Sequence, residues 1–142
     1  MLKNSSFIGG QDVEMFEKEF AQKMCCDFSV SCGNGTDALH IALKALKITV
    51  GDEVIVPAHT WFSTSEVVAS VGATLVFCDT EEHSCLIDPE AIEQLITKNT
   101  KCIIPVHLFG QSANMSRILD IAKRYDLKVI EDCAQAHMAQ HK

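Results

Sequence analysis

Short segments of consecutive apolar residues, separated by stretches with helical spacing, constrain this chain more than any single motif. A strand buried on one face alternates apolar and polar residues. Here Val54-Ile55-Val56, Leu75-Val76-Phe77-Cys78 and Cys102-Ile103-Ile104-Pro105-Val106 do not alternate. Strands of that kind are covered on both faces, as in the parallel sheets of α/β proteins. Five are expected, at residues 28–32, 53–56, 74–78, 102–106 and 128–132. The crossovers are long enough for parallel pairing with right-handed connections. The class is α/β, a three-layer α/β/α sandwich with a mostly parallel sheet. No internal repeat, low-complexity tract or linker divides the chain, so it reads as one domain or a piece of one.

The intervening helices carry their own start signals. Val13, Phe16, Phe20 and Met24 recur at helical spacing and place a helix over 12–23. A second runs from Thr36 or Asp37 to about Leu46, with Leu39, Ile41, Ala42, Leu43 and Leu46 mostly inward. Ser63-x-x-Glu66 has the form of a capping box and predicts a helix over 63–71. Asp88-Pro89 places a cap before a proline at the first helical position, opening a helix to about Thr97. Asn114 is a candidate cap for the helix that carries Ile118, Leu119, Ile121 and Ala122.

Charge and cysteine content narrow the possible partners. Twelve basic residues against nineteen acidic ones give a net charge of −7 over 142 residues. An acidic chain without a Lys/Arg cluster lacks the electrostatic footprint for nucleic acid or an anionic membrane. No apolar run approaches a membrane span, and Met1-Leu2-Lys3-Asn4-Ser5-Ser6 is not followed by a signal-peptide core. The seven cysteines are odd in number and scattered. Four of them (Cys32, Cys78, Cys102 and Cys133) fall in apolar runs, where free cysteine acts as a small hydrophobe. Reduced thiols in the cytoplasm fit this better than a disulfide framework.

In an open α/β sheet ligands bind beyond the carboxyl ends of the strands, and three segments of this chain qualify. In Gly33-Asn34-Gly35-Thr36-Asp37, glycine allows close approach of a ligand, the following helix offers amide N–H groups to an anion, and Thr36 adds a hydroxyl. A phosphate site and a plain strand-to-helix turn both satisfy these residues. Trp61, the only tryptophan, follows Pro57-Ala58-His59-Thr60. It can stack on a planar heterocycle or pack into the core. Asp132 ends the run Lys128-Val129-Ile130-Glu131, where a carboxylate needs a cation, a donor or a helix N-terminus to cap. A pyridinium N–H is one such donor. Gln135, about one turn further on, could reach the same ligand. His107 ends the fourth expected strand, where it could touch substrate or serve as a hydrogen-bonded structural residue. Cys133, His137 and His141 are spaced four apart, as metal ligands on one helix face would be. No fourth ligand stands at a recognisable spacing, and the expectation is no metal.

Taken in succession, these segments resemble the DegT/DnrJ/EryC1/StrS family of sugar aminotransferases. The resemblance is carried by Phe16-Glu17-Lys18-Glu19-Phe20-Ala21, Asn34-Gly35-Thr36-Asp37-Ala38-Leu39 and Gly51-Asp52-Glu53-Val54-Ile55-Val56-Pro57-Ala58-His59-Thr60-Trp61. It continues through Val76-Phe77-Cys78-Asp79, Ile87-Asp88-Pro89, Pro105-Val106-His107-Leu108-Phe109-Gly110 and Val129-Ile130-Glu131-Asp132-Cys133-Ala134-Gln135-Ala136-His137. What the resemblance implies is a fold type I enzyme that uses pyridoxal 5′-phosphate. Such an enzyme moves an amino group from glutamate or glutamine to a nucleotide-linked keto sugar, as a cytoplasmic homodimer. By the same resemblance Gly35 and Thr36 would hold the cofactor phosphate. Trp61 would stack on the pyridine ring, Asp132 would pair with the ring nitrogen, and Gln135 would lie near the ring hydroxyl.

The resemblance also implies a lysine further along that links covalently to the cofactor. Residues 1–142 read as part of the large cofactor-binding domain, about the first third of a family member, and they stop before that lysine. The resemblance implies a short lead-in segment before Leu2 as well, which this chain is expected to lack. Met138 stands where the family pattern implies glycine, and Lys142 lacks the rigid surroundings that would position a replacement. The expectation is a chain that does not transaminate by itself. The alternatives are a catalytically silent protein that binds a phosphate ligand or a partner, a dehydratase relative, and a flavodoxin-like or dinucleotide-binding module. The last lacks the spaced third glycine of the dinucleotide fingerprint.

Overall fold

The computed structural model describes residues 8–141. The readings of Met1–Ser6 as no leader and of Lys142 as no substitute lysine lie outside the described residues. Two compact units divide the chain, Met1–Gly33 and Asn34–Lys142.

In the first unit, α1 (Gln11–Lys23) forms where Val13, Phe16 and Phe20 set the helical period, with Phe16 and Phe20 in ring contact at 5.6 Å between centroids. The chain then turns at Cys25, which adopts a left-handed backbone (φ 54°). The expected strand at 28–32 does not form. Phe28 and Val30 are exposed at 86% and 83%, and nothing in the sheet pairs with them. The Ser31 amide instead donates to the Glu17 carboxylate at 2.6 Å, which holds that carboxyl below its ordinary range. A short apolar run lacking a partner strand has no ladder to join, and its amides find a side chain instead.

The second unit contains α2 (Gly35–Ala45), β1 (Glu53–Pro57), α3 (Phe62–Ser70), β2 (Thr74–Cys78), α4 (Pro89–Leu95), β3 (Thr100–Ile103), α5 (Met115–Tyr125) and β4 (Lys128–Val129). The four strands are all parallel, in the order β2-β1-β3-β4. Val54, Val56, Cys102 and Ile104 point to one face and meet Leu39 and Leu43 of α2 with Val67 and Val68 of α3. Ile55 and Ile103 point to the other and meet Ile92 of α4 with Ile118 and Ile121 of α5. Every one of these side chains is less than a tenth exposed, and this double coverage explains the apolar runs.

Local differences from the sequence-based expectations come from packing and capping. In α2 only the i, i+4 pair Leu39 and Leu43 faces the sheet, so Ile41 is left 56% exposed. The capping box at Ser63 is not formed. Helix α3 starts one residue earlier with Trp61 at its cap and no side-chain cap bond. Asp88 and Asn114 do cap their helices, accepting from the amides of Glu90 and Arg117 at 2.9 and 3.3 Å. Helix α2 starts at Gly35, ahead of the expected Thr36 or Asp37, with Asn34 accepting from the Asp37 amide at 2.9 Å. Outside the core, Glu93 of α4 accepts from Arg124 and Tyr125 of α5, which holds its carboxyl down at about 2.

All seven cysteines are free thiols. Cys32 is exposed, contrary to its place in an apolar run, because that run joins no sheet. Cys78 and Cys102 are fully buried, and burial pushes both thiols up to about 12. Native alkylation with iodoacetamide, mapped by mass spectrometry, is expected to label Cys25, Cys26 and Cys32 well before Cys78 and Cys102. Equal labelling would mean the sheet is not covered on both faces. Asn34→Ala is expected to cost about 1 kcal/mol in urea unfolding, the usual loss for an N-cap.

Candidate cofactor cleft

The strand order reverses next to β1. From β1 the chain passes through α3 to β2 on one side, then through α4 to β3 on the other. A crevice opens beyond the carboxyl ends of the strands at such a reversal. A cleft of about 270 Å³ is found in this region, lined by Gly35, Thr36, Leu39, Trp61, Ser63, Thr64, Asp132, Ala134 and Gln135. Gly35, Thr36, Trp61, Asp132 and Gln135 come together here from three separate stretches of chain.

One end of the cleft is the amino end of α2. Asn34 commits its side chain to the Asp37 amide and its carbonyl to the Ala38 amide. Gly35 and Thr36 stand at the first two helical positions, where an amide N–H has no intrahelical acceptor. A Cβ added at Gly35 would meet no protein atom within 4 Å, so the space beside that backbone is open. The Thr36 hydroxyl donates to Ser63 Oγ at 2.9 Å.

Trp61 borders the cleft with an extended backbone (φ −66°, ψ 143°) and is 75% exposed. Within the described residues Trp61 is therefore not packed into the core. A large aromatic side chain left this open has a face to offer a ligand.

Asp132 is held from several directions. Its amide donates to the Pro105 carbonyl and its carbonyl accepts from the His107 amide, both at 3.0 Å, which extends the β3–β4 pairing past the regular strands. Its carboxylate accepts from the Ala134 amide at 3.1 Å and from the buried Thr64 hydroxyl at 3.4 Å. Thr64 in turn lies 3.3 Å from the Thr60 hydroxyl. Beyond Asp132 the chain turns without forming a helix, so the carboxylate caps none. Gln135 Oε1 accepts from the Phe109 amide at 3.3 Å, and its carbonyl accepts from the Gly110 amide at 3.0 Å. The N–H donors of the Gln135 amide are left for another partner.

His107 is not among the residues that line the cleft. Its ring is buried, with Nδ1 accepting from the Ala113 amide at 3.1 Å and Nε2 lying 3.1 Å from a Glu131 carboxylate oxygen. The first contact fixes the neutral tautomer with hydrogen on Nε2, which therefore donates to Glu131. Cys133, His137 and His141 do not share a helix face, because residues 133–141 form no helix. Burial, then the Glu131 and Asp132 carboxylates, push the Cys133 thiol above its ordinary range. Ser63 and Thr64 join the lining although sequence reasoning does not single them out as site residues. Their one signal is position: both follow Trp61 within the first turn of α3, where a hydroxyl reads equally well as a helix cap.

The family model of the DegT/DnrJ/EryC1/StrS aminotransferases matches residues 1–142. A UDP-N-acetyl-3-dehydro-alpha-D-glucosamine 3-aminotransferase of Acidithiobacillus ferrooxidans is 47% identical over 140 residues, which cover 99% of this chain and 38% of that protein. A dTDP-3-amino-3,6-dideoxy-alpha-D-galactopyranose transaminase of Aneurinibacillus thermoaerophilus is 44% identical over 139 residues, covering 98% and 38%. Among solved structures, NtdA of Bacillus subtilis with bound cofactor PMP superposes with a TM-score of 0.94. It shares 39% identity over 96% of this chain and 32% of its own. The chain thus spans less than half the length of the relatives it matches. With the chain matched from end to end by the family model and a cleft of this composition at the strand reversal, the chain belongs to the DegT/DnrJ/EryC1/StrS aminotransferase family.

Proposed function

We propose that residues 1–142 form part of the large cofactor-binding domain of a pyridoxal 5′-phosphate-dependent sugar aminotransferase. The observation that carries this reading is the composition of one cleft: an amide-rich helix end, an exposed indole and an anchored carboxylate. Those features suit, respectively, a phosphate, a flat ring and a protonated ring nitrogen. The group would be held by Gly35 and Thr36 at its phosphate, by Trp61 against its ring face, by Asp132 at its nitrogen and by Gln135 near its ring hydroxyl. Bound there, pyridoxal phosphate supplies an electron sink for chemistry at an amino-bearing carbon.

The chain's own residues then have distinct tasks. Asp132 keeps a proton on the ring nitrogen, and Thr64 with the Ala134 amide keep Asp132 aimed. Trp61 keeps water off one ring face. His107 has a positioning role in this reading, because both of its nitrogens are committed to the protein. It braces Glu131 and, through its amide, Asp132. Relatives named as aminotransferases of UDP- and dTDP-sugars support a nucleotide-linked keto sugar as acceptor. Glutamate or glutamine as donor, a homodimer and a cytoplasmic setting complete the proposal.

A second reading comes from the same lining. None of the nine residues around the cleft is a lysine, so these residues grip a cofactor without a covalent link. On that reading the chain by itself binds pyridoxal phosphate but does not transfer an amino group. Incubation of this chain with pyridoxal phosphate and glutamate, followed by absorbance, tests that reading: binding without turnover supports it, and turnover overturns it.

Binding is tested by titrating the protein with pyridoxal phosphate in equilibrium dialysis. Asp132→Ala is expected to weaken binding roughly tenfold or more, the loss typical of a hydrogen bond to a charged group. Trp61→Ala is expected to weaken it by about two- to tenfold, as for other aromatic pairs. Unchanged affinity in both variants would rule out this cleft as the cofactor site.

A further inference from the structure

The hydroxyl pair in the cleft has a direction. Thr36 Oγ1 donates to Ser63 Oγ at 2.9 Å. A hydroxyl has one proton to give and two lone pairs to accept with. The Thr36 proton is therefore committed to Ser63, while Ser63 keeps its own. The donor expected of Thr36 from the sequence passes through this contact to its neighbour.

Ser63 is also placed to use that proton. It lines the cleft beside Gly35, Thr36 and Trp61. It lies in the first turn of α3, a nine-residue helix that has no side-chain cap. The amides of Phe62 and Ser63 thus have no acceptor within the helix. The amino end of α2 contributes Gly35 and Thr36 to the same cleft. Two helix amino ends are joined there by one hydroxyl–hydroxyl bond. Among the described residues that line the cleft there is no Lys, Arg or His, so what these residues offer an anion is neutral donors.

We propose that Ser63 is a ligand of the cofactor phosphate. Its Oγ–H donates to a phosphate oxygen, and the Thr36 hydroxyl, donating into Ser63 Oγ, fixes the direction of that proton. Thr36 then contributes its backbone amide directly and its hydroxyl through Ser63. Accepting the Thr36 proton polarises the Ser63 hydroxyl and makes it the better donor. This inference rests on the cofactor reading above.

Four proteins decide it: the unaltered chain, Ser63→Ala, Thr36→Val and the double variant. Each is titrated with pyridoxal phosphate and with pyridoxal, which lacks the phosphate, in equilibrium dialysis. Alanine suits a helix interior, and unfolding of each variant without ligand shows whether the fold is kept. The expected result for Ser63→Ala is about a tenfold or greater loss for pyridoxal phosphate with pyridoxal unchanged. Adding Thr36→Val to Ser63→Ala should then cost less than twofold, because the threonine hydroxyl acts through the serine. Ser63→Ala binding pyridoxal phosphate within threefold of the unaltered protein, or losing both compounds equally, overturns the proposal. So does a Thr36→Val loss that persists undiminished in the Ser63→Ala background. An unaltered protein that binds neither compound overturns the cofactor reading itself, and this inference with it.

Discussion

Burial of β1 on both faces is the constraint on which the rest of the second unit depends. Val54, Ile55 and Val56 are each fully buried, and they alternate between the α2/α3 layer and the α4/α5 layer. Full burial of such a side chain stabilises by about 1.5–3 kcal/mol, but only while both layers are in place. The parallel neighbours β2 and β3 are pinned to β1 by the same alternation, since a one-residue slip would turn every side chain to the wrong layer. The cleft is a consequence. Once β1 sits between β2 and β3, the loops leaving their carboxyl ends must diverge, and Trp61 stands where they part.

The site is tied to that core through backbone pairing. Beyond the last regular residue of β3, the ladder persists as Ile104 to Ile55, Ile130 to Ile103, Asp132 to Pro105 and His107 to Asp132, at 2.9–3.0 Å. Asp132 is thus placed by the sheet and aimed by Thr64 from α3. Gln135 is strapped by the amides of Phe109 and Gly110, both at positive φ. A non-glycine residue in that conformation costs energy and persists when its surroundings fix it. At Phe109 the strap to Gln135 is one such tie.

Elements whose partners lie close in sequence or in the sheet are legible from the residues alone. The β2 bounds, the caps at Asp88 and Asn114, and the parallel class of the sheet all come from periodicity and capping chemistry. Residues 28–32 are not legible, because an apolar run becomes a strand only if another strand is free to pair with it. Ser63 misleads for a related reason. The Ser-x-x-Glu pattern satisfies a helix end in isolation, but here the serine oxygen is occupied by Thr36, twenty-seven residues earlier. The candidate site is legible in outline: five residues named from strand ends and resemblance share one cleft. His107 differs because its carrier segment ends at the site while its ring turns inward to Glu131 and Ala113. Spacing carries no information on that choice.

Net charge gives no guidance to what the cleft attracts. The chain carries −7 overall, and Asp132 is the one charged residue among the nine that line the cleft. A phosphate held here would be held by amide dipoles and hydroxyls, whose pull is short-ranged and strengthens as water is excluded. Lysine or arginine would attract any anion from a distance, and would also pair with Asp132. Neutral donors leave the carboxylate unpaired by cations and ready for a protonated ring nitrogen. Among these nine residues, then, the neutral donors and Asp132 are complementary: one end can meet an anion and the other a cation, and neither neutralises the other.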